Sequence, residues 1–308
     1  MNKKKIPLYK QKGFHLFLMN LPFLILVFIL SYLPLRGWIN AFYNYKPGIP
    51  LSQSTFTGLK YFTMMFSDRL AVKEIGRVMA NTLGINIISY FFSPLAMIFA
   101  MFLTEIKSKW YKKFVQTATT LPHFISWVTV YAIAFALFSV NDGLINYLLL
   151  QFGWVEEPIN FLVETKGLWL KMILWGVWKG TGWSAILYFA AISGIDQEMY
   201  EAAMIDGAGR FRMMLHITLP HLIPTFFVLL ILSIGNFLNT GMEQYMLFSN
   251  PMTADKLEVL DLYVYNQGLI KVQYSYTTAV GMLKSIVGIV LLFGANQLSK
   301  MIRGYGIM

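Results

Sequence analysis

Six long runs of apolar residues, separated by polar segments, organise this 308-residue chain. They lie at about 16–38, 78–103, 114–140, 168–192, 222–242 and 277–299. Each has the roughly 20 residues that carry a helix across a hydrocarbon core of about 30 Å. Lipid offers unpaired backbone no partner, and none of the runs alternates as a barrel strand does, so each predicts a transmembrane helix. The expected architecture is all-α: a polytopic membrane helix bundle with six transmembrane helices, forming one domain over residues 1–308. Glu243 borders the fifth run and Lys284 lies inside the sixth, and Lys179 lies inside the fourth. Ionisable groups are costly in lipid, so these three are expected to face a cavity or a partner.

Composition agrees with a bundle in lipid. Hydrophobic residues make up 56% of the chain and charged residues 13%, half the roughly 25% typical of a soluble domain. The net charge of +10 does not point to nucleic acid, because in a membrane protein the placement of charge matters more than its sum. With the N-terminus on the cytoplasmic side, inner segments hold thirteen Lys and Arg residues and outer segments eight. The positive-inside rule then places both termini in the cytoplasm. The first run is longer than a signal-peptide core and has no small-x-small site close behind it, so it reads as a retained anchor. Cysteine is absent, which removes disulfides, thiol nucleophiles and thiolate metal sites.

The inner loop 193–221 is unlike a passive connection. Asp196 is a natural N-cap and Glu198 suits the positive end of a helix. Residues 197–206 are good helix formers, and Gly207 and Gly209 stop them. A short helix results, with Ala202, Ala203 and Ala208 offering another protein a low, smooth surface and Glu201 and Asp206 framing it with charge. A second helical stretch, 210–218, is expected to break at Pro220 before the fifth span.

Glu201-Ala202-Ala203-x-x-Asp206-Gly207-Ala208, eight intervening residues, and Ile217-x-Leu219-Pro220 resemble the complete EAA signature of binding-protein-dependent ABC importer permeases. The rest of the chain is similar to MalF-like carbohydrate permeases of the complex-oligosaccharide branch. Leu33-Pro34-Leu35-Arg36-Gly37-Trp38, Glu243-Gln244, Asn250-Pro251 and Asp261-x-Tyr263-Val264-Tyr265 carry that likeness. The resemblance implies a type I importer permease of MetI-like fold in the bacterial plasma membrane. It makes the loop a coupling helix, with Glu201, Ala202, Ala203, Asp206, Gly207 and Ala208 at an ATPase. The implied partners are a second homologous permease, cytoplasmic ATPase subunits and an extracellular sugar-binding protein or lipoprotein. The resemblance also puts the only cofactor, ATP with magnesium, on the ATPase rather than on this chain.

A sugar needs aromatic platforms with hydroxyl and amide partners inside an otherwise apolar bundle. Asn81, Trp127, Tyr131, Trp178, Trp183, Tyr188, Asn239, Glu243 and Gln244 are the candidates for its pathway. The competing readings are interfacial aromatic belts and helix-to-helix amide bonds. Gly176 and Gly180, spaced as GxxxG, suggest a helix-packing notch. No GxxxxGK[ST] phosphate loop is present, and the four histidines show no metal-ligand spacing. The chain does not read as an enzyme. The rival readings are a permease for a non-sugar solute, a secondary transporter with acids and broken helices in paired repeats, and a membrane scaffold whose inner loop binds a regulator.

Overall fold

The computed structural model describes residues 12–303, so most of the basic N-terminal tail used in the orientation count lies outside the described residues. Among the described residues, regular structure is helical apart from one isolated antiparallel bridge between Tyr43 and Phe56. The chain divides into two compact units, Met1–Ser67 with Gln267–Leu283, and Asp68–Asn266 with Lys284–Met308.

In the first unit, helix α1 (Gly13–Phe42) runs unbroken through a wide turn at Phe28–Tyr32 and tightens to 3-10 geometry from Leu33 onward. Its most apolar window buries none of its residues within the chain. Lipid tolerates such a helix because every backbone group is paired inside it. The segment before α2 (Lys60–Ser67) closes on the start of the last helix, α14 (Tyr274–Arg303). Ser275 Oγ donates to Tyr43 O at 2.6 Å and accepts from Tyr45 N at 2.9 Å.

The second unit holds the remaining helices. Helices α3 (Arg69–Phe91) and α4 (Pro94–Thr104) join into a 36-residue span. It begins nine residues before the expected position 78, because the Asp68 side chain caps it by accepting from Leu70 N. Arg69, Lys73 and Arg77 therefore belong to a helix and not to an outer loop. Helices α5 (Lys109–Phe124) and α6 (Trp127–Phe138) replace the continuous span expected over 114–140, meeting at a bend of 104°. Pro122 weakens the last turn of α5, Ile125 and Ser126 are extended, and Ser126 Oγ restarts the chain by accepting from Thr129 N at 3.2 Å.

Helices α7 (Leu144–Gln151) and α8 (Leu168–Ser193) follow. Helix α9 (Gln197–Ile205) leads into α10 (Arg210–Gly235). Pro220 does not break α10: a wide turn at Met214–Thr218 absorbs it, with Leu219 N bonded back to Met214 O. Helix α10 ends at Gly235 rather than 242, and residues 236–242 form a loop before α11 (Glu243–Phe248). Short helices α12 (Ala254–Leu257) and α13 (Leu260–Tyr265) complete the segment. By length and composition, four helices among the described residues can cross a membrane, or five with the bent pair, against the six expected. Helix α8 falls short because Lys171, Lys179 and its glycines and tryptophans lower its hydropathy. It packs against α3, α4, α5 and α10, which frees it from the demand that lipid contact makes.

Helices in lipid gain no hydrophobic energy from meeting, so close approach and hydrogen bonds must hold them. The close approach is at Gly182, where an added Cβ would overlap the Thr119 carbonyl of α5. Gly176 and Gly180 do not form the notch their spacing suggested: among the described residues, nothing beyond the local backbone of α8 lies within 4 Å of the Cβ position at either. The bonds come from a polar row on α3. Asn81 Nδ2 donates to Asp255 O at 2.8 Å, Thr82 Oγ1 accepts from Leu260 N at 2.8 Å, and Asn86 Nδ2 donates to Phe237 O at 2.8 Å. Arg77 adds ion pairs to Asp255 and Glu258.

Candidate functional site

Helix α9 is a self-contained knob. Asp196 Oδ1 accepts from Glu198 N at 3.0 Å, fixing its start. At its end Gly207 takes φ +76°, while Gly207 N bonds Met204 O at 3.1 Å and Ala208 N bonds Ala203 O at 2.9 Å. This is a Schellman stop, which needs a residue free of the Cβ penalty at positive φ. One face of the knob is fastened inward. Tyr200, Ala203 and Ala208 pack on Ile195, Met213 and Ile217, and the Tyr200 and Thr218 hydroxyls are 2.9 Å apart.

The smooth alanine surface expected to face outward is thus split. Ala203 and Ala208 seat the knob on the chain's own core, and Ala202 stays exposed beside Glu201 and Asp206. The apex carries a residue that the sequence reading passed over: Ile205, 87% exposed, beside an exposed Met204. An apolar tip framed by two acids is suited to a socket on another protein.

The pathway candidates do not form one site. Trp183 and Tyr188 line a cavity of about 440 Å³ among α3, α4, α8 and α10, whose polar groups are hydroxyls such as Ser89, Ser93 and Ser233. Trp127, Glu243 and Gln244 come together with Thr240 and Gly241 around a second cavity of about 280 Å³. Tyr131 lines a third, and Asn239 lies with Asn236 and Lys284 in a fourth. Trp178 stands edge-on to Trp175 in an apolar recess. Asn81 is buried, with its amide committed to the two backbone carbonyls of Asp255 and Glu258.

Two charged groups inside the bundle shape the second cavity. Lys179 Nζ donates to the carbonyls of Ile125 at 2.6 Å, His123 at 2.7 Å and Pro122 at 3.1 Å. A helix leaves its last carbonyls unpaired, and the ammonium both pairs them and answers the negative end of the α5 dipole. The same ammonium lies 5.5 Å from the Trp127 ring centroid, so it also orients the wall of the second cavity. Asp261 plays the matching part for the loop 236–242. Its Oδ2 accepts from Thr240 N at 2.9 Å and Gly241 N at 3.0 Å, and its Oδ1 pairs with Lys284. Lys179 and Lys284 were expected to find a cavity or a partner; which groups they bind depends on backbone bends that the residue pattern does not show.

Residues 93–304 match the family of binding-protein-dependent transport system inner membrane components. The chain belongs to this family. The permease is 41% identical to the LplB protein of Bacillus subtilis (strain 168) over 286 residues, covering 92% of this chain and 88% of that protein. It is equally 41% identical over 298 residues to the polygalacturonan/rhamnogalacturonan transport system permease protein YteP of the same organism, covering 96% and 90%. Among solved structures, the permease resembles a chain of a bacterial alginate ABC transporter in complex with an alginate pentasaccharide-bound periplasmic protein. The TM-score is 0.82 and the identity 33%, over 96% of this chain and 97% of that one. The permease is accordingly a multi-pass membrane protein and the transport component of a binding-protein-dependent importer.

Proposed function

We propose that this permease passes a saccharide across the plasma membrane by alternating access, driven by ATP hydrolysis on a separate cytoplasmic subunit that grips α9. The observation that carries the reading is the knob itself. A short helix with a capped start, a Schellman stop and an inward-fastened face transmits force as a rigid body, and its free tip is apolar and acid-framed. In this reading Glu201, Ala202, Met204, Ile205 and Asp206 meet the ATPase, and α9 lies on the cytoplasmic side with both termini. Partners are a second homologous permease and an extracellular sugar-binding lipoprotein. ATP and magnesium reside on the ATPase. The saccharide assignment draws on the named cargo of the relatives and on cavities walled by hydroxyls, amides and aromatic rings. Trp127, Glu243 and Gln244, supplied by two segments far apart in the chain, are the foremost contacts.

The test is co-expression with the ATPase subunit and recovery of the complex. Glu201→Arg reverses one of the two charges at the knob, and recovery of the ATPase is expected to fall about tenfold, as for a lost interfacial charge contact of a little over 1 kcal/mol. Glycan-loaded binding protein should stimulate ATP hydrolysis by the wild-type assembly. Uptake that persists in ATP-free vesicles under a proton gradient would refute the ATP-driven reading. Stimulation by a non-sugar solute alone would refute the substrate class.

A further inference from the structure

The second and third cavities share a wall. Trp127, Tyr131 and Phe135 are spaced four apart on α6, so they stand in one row on one face of that helix. Trp127 opens onto the cavity holding Glu243 and Gln244, at the start of α11. Tyr131 and Phe135 open onto a cavity of about 360 Å³ reached through Asn141, Asp142, Asn160 and Asn250. Eight residues at 1.5 Å each place the two ends of the row about 12 Å apart. Along this row α6 packs against α11, and Tyr131 meets Phe248 edge-on at 5.1 Å.

The larger cavity is a built site. Asn146 is buried, and its side chain bonds Ser139 O and both the N and O of Ile159 at 2.9 Å, tying together the two loops that form the rim. Asn250 Oδ1 accepts from Met252 N at 3.0 Å and Thr253 N at 3.1 Å, which fixes its orientation. Among the described residues, the side-chain N–H groups of Asn160 and Asn250 have no acceptor. Neither cavity is lined by Lys or Arg, and each carries one carboxylate, Asp142 or Glu243. The neighbouring ammonium groups are committed, Lys179 to three carbonyls and Lys171 to Phe161 O and Glu164 beside the rim.

We infer that the α6–α11 seam binds a neutral saccharide chain at two subsites, one at Trp127, Glu243 and Gln244 and the other at Phe135, Asn160 and Asn250. The inference rests on the saccharide reading above and narrows it. Flat apolar sugar faces lie on Trp127 and Phe135, and hydroxyl groups pair with the carboxylates, the Asn160 and Asn250 amides and the Gln244 carbonyl oxygen, the Gln244 N–H being held by Met172 O. A span of about 12 Å exceeds a single sugar unit, so binding strengthens with chain length. A uronate chain would set its own carboxylates against Asp142 and Glu243, while the Lys171 and Lys179 ammonium groups nearby are already bonded to carbonyls and to Glu164. On that ground the permease departs from the solved neighbour, whose cargo is the acidic polysaccharide alginate.

The experiment is equilibrium binding to the assembled permease–ATPase complex in lipid nanodiscs, read by intrinsic tryptophan fluorescence. The probes are neutral gluco-oligosaccharides and oligogalacturonates, each as mono-, tri- and pentasaccharide. The neutral pentasaccharide should bind most tightly. Phe135→Ala and Asn160→Ala, both at exposed positions that hold nothing else in place, should each weaken it about five- to tenfold and flatten the dependence on chain length. Tighter binding of oligogalacturonates, or a length dependence that both variants leave intact, overturns the inference. Uniform weakening of binding-protein docking, with saccharide binding unaffected, also overturns it and makes the rim a protein contact. If loaded binding protein stimulates ATP hydrolysis while these tests fail, only the seam is wrong; if no saccharide stimulates it, the saccharide reading falls first.

Discussion

Gly182→Leu is expected to prevent or severely weaken assembly of the helix bundle, while Gly180→Ala two residues away is expected to be harmless. At Gly182 even a methyl group would overlap the Thr119 carbonyl, with the Thr120 amide close behind it. Both are backbone atoms of α5, and no rotamer change can move them. The helices must separate instead, at a cost of about 3 kcal/mol, equivalent to about 6–12 °C in apparent unfolding temperature. In lipid no hydrophobic gain offsets a wider spacing. Gly180 faces a cavity with nothing within 4 Å of its Cβ position, so alanine there should stabilise α8 by about 0.5–1 kcal/mol through helix propensity. Heating the purified permease and measuring the fraction that remains monodisperse separates the two. Equal tolerance at both positions would contradict the packing described at Gly182.

Lys179→Met is expected to have the other large effect. It leaves the carbonyls of His123 and Ile125 without a donor and Pro122 O with the Ile125 amide alone, at a bend of 104°. An unsatisfied buried carbonyl costs about 1–3 kcal/mol, and bonds to a charged donor are the stronger kind. Relaxation of the bend and entry of water reduce the sum, so the net loss is on the order of 3 kcal/mol. Lys179→Gln keeps two N–H donors and should recover part of it. The order wild type, Gln, Met should hold both for thermal stability and for uptake rate, because Trp127 loses its cationic neighbour along with the bend. A methionine variant with wild-type stability would show that the ammonium does not hold the break.

Membrane helices announce themselves because lipid demands continuous apolar length, and the knob is legible because its cap, its Gly207 stop and its spacing are all local. The break at Ile125 and Ser126 was invisible because both flanking stretches are apolar enough to read as one span. The proline at 220 misled in the opposite direction, since a single wide turn in α10 accommodates it. Ala203 and Ala208 look like Ala202 in the sequence, and only the path of α10 decides that they face Ile195, Met213 and Ile217. The gathering of Trp127 with Glu243 and Gln244 is tertiary. It depends on a loop held by Asp261, a residue about twenty positions further on.

The central claim is that an ATPase holds the tip of α9 on the cytoplasmic face. The chain has no cysteine, so Ile205→Cys gives a single thiol at the apex without any other change. Membrane-impermeant maleimide should label it in inside-out vesicles stripped of the ATPase, fail to label it in right-side-out vesicles, and lose access when the ATPase is added back. Labelling from the outer side, or labelling that the bound ATPase leaves undiminished, would contradict the account.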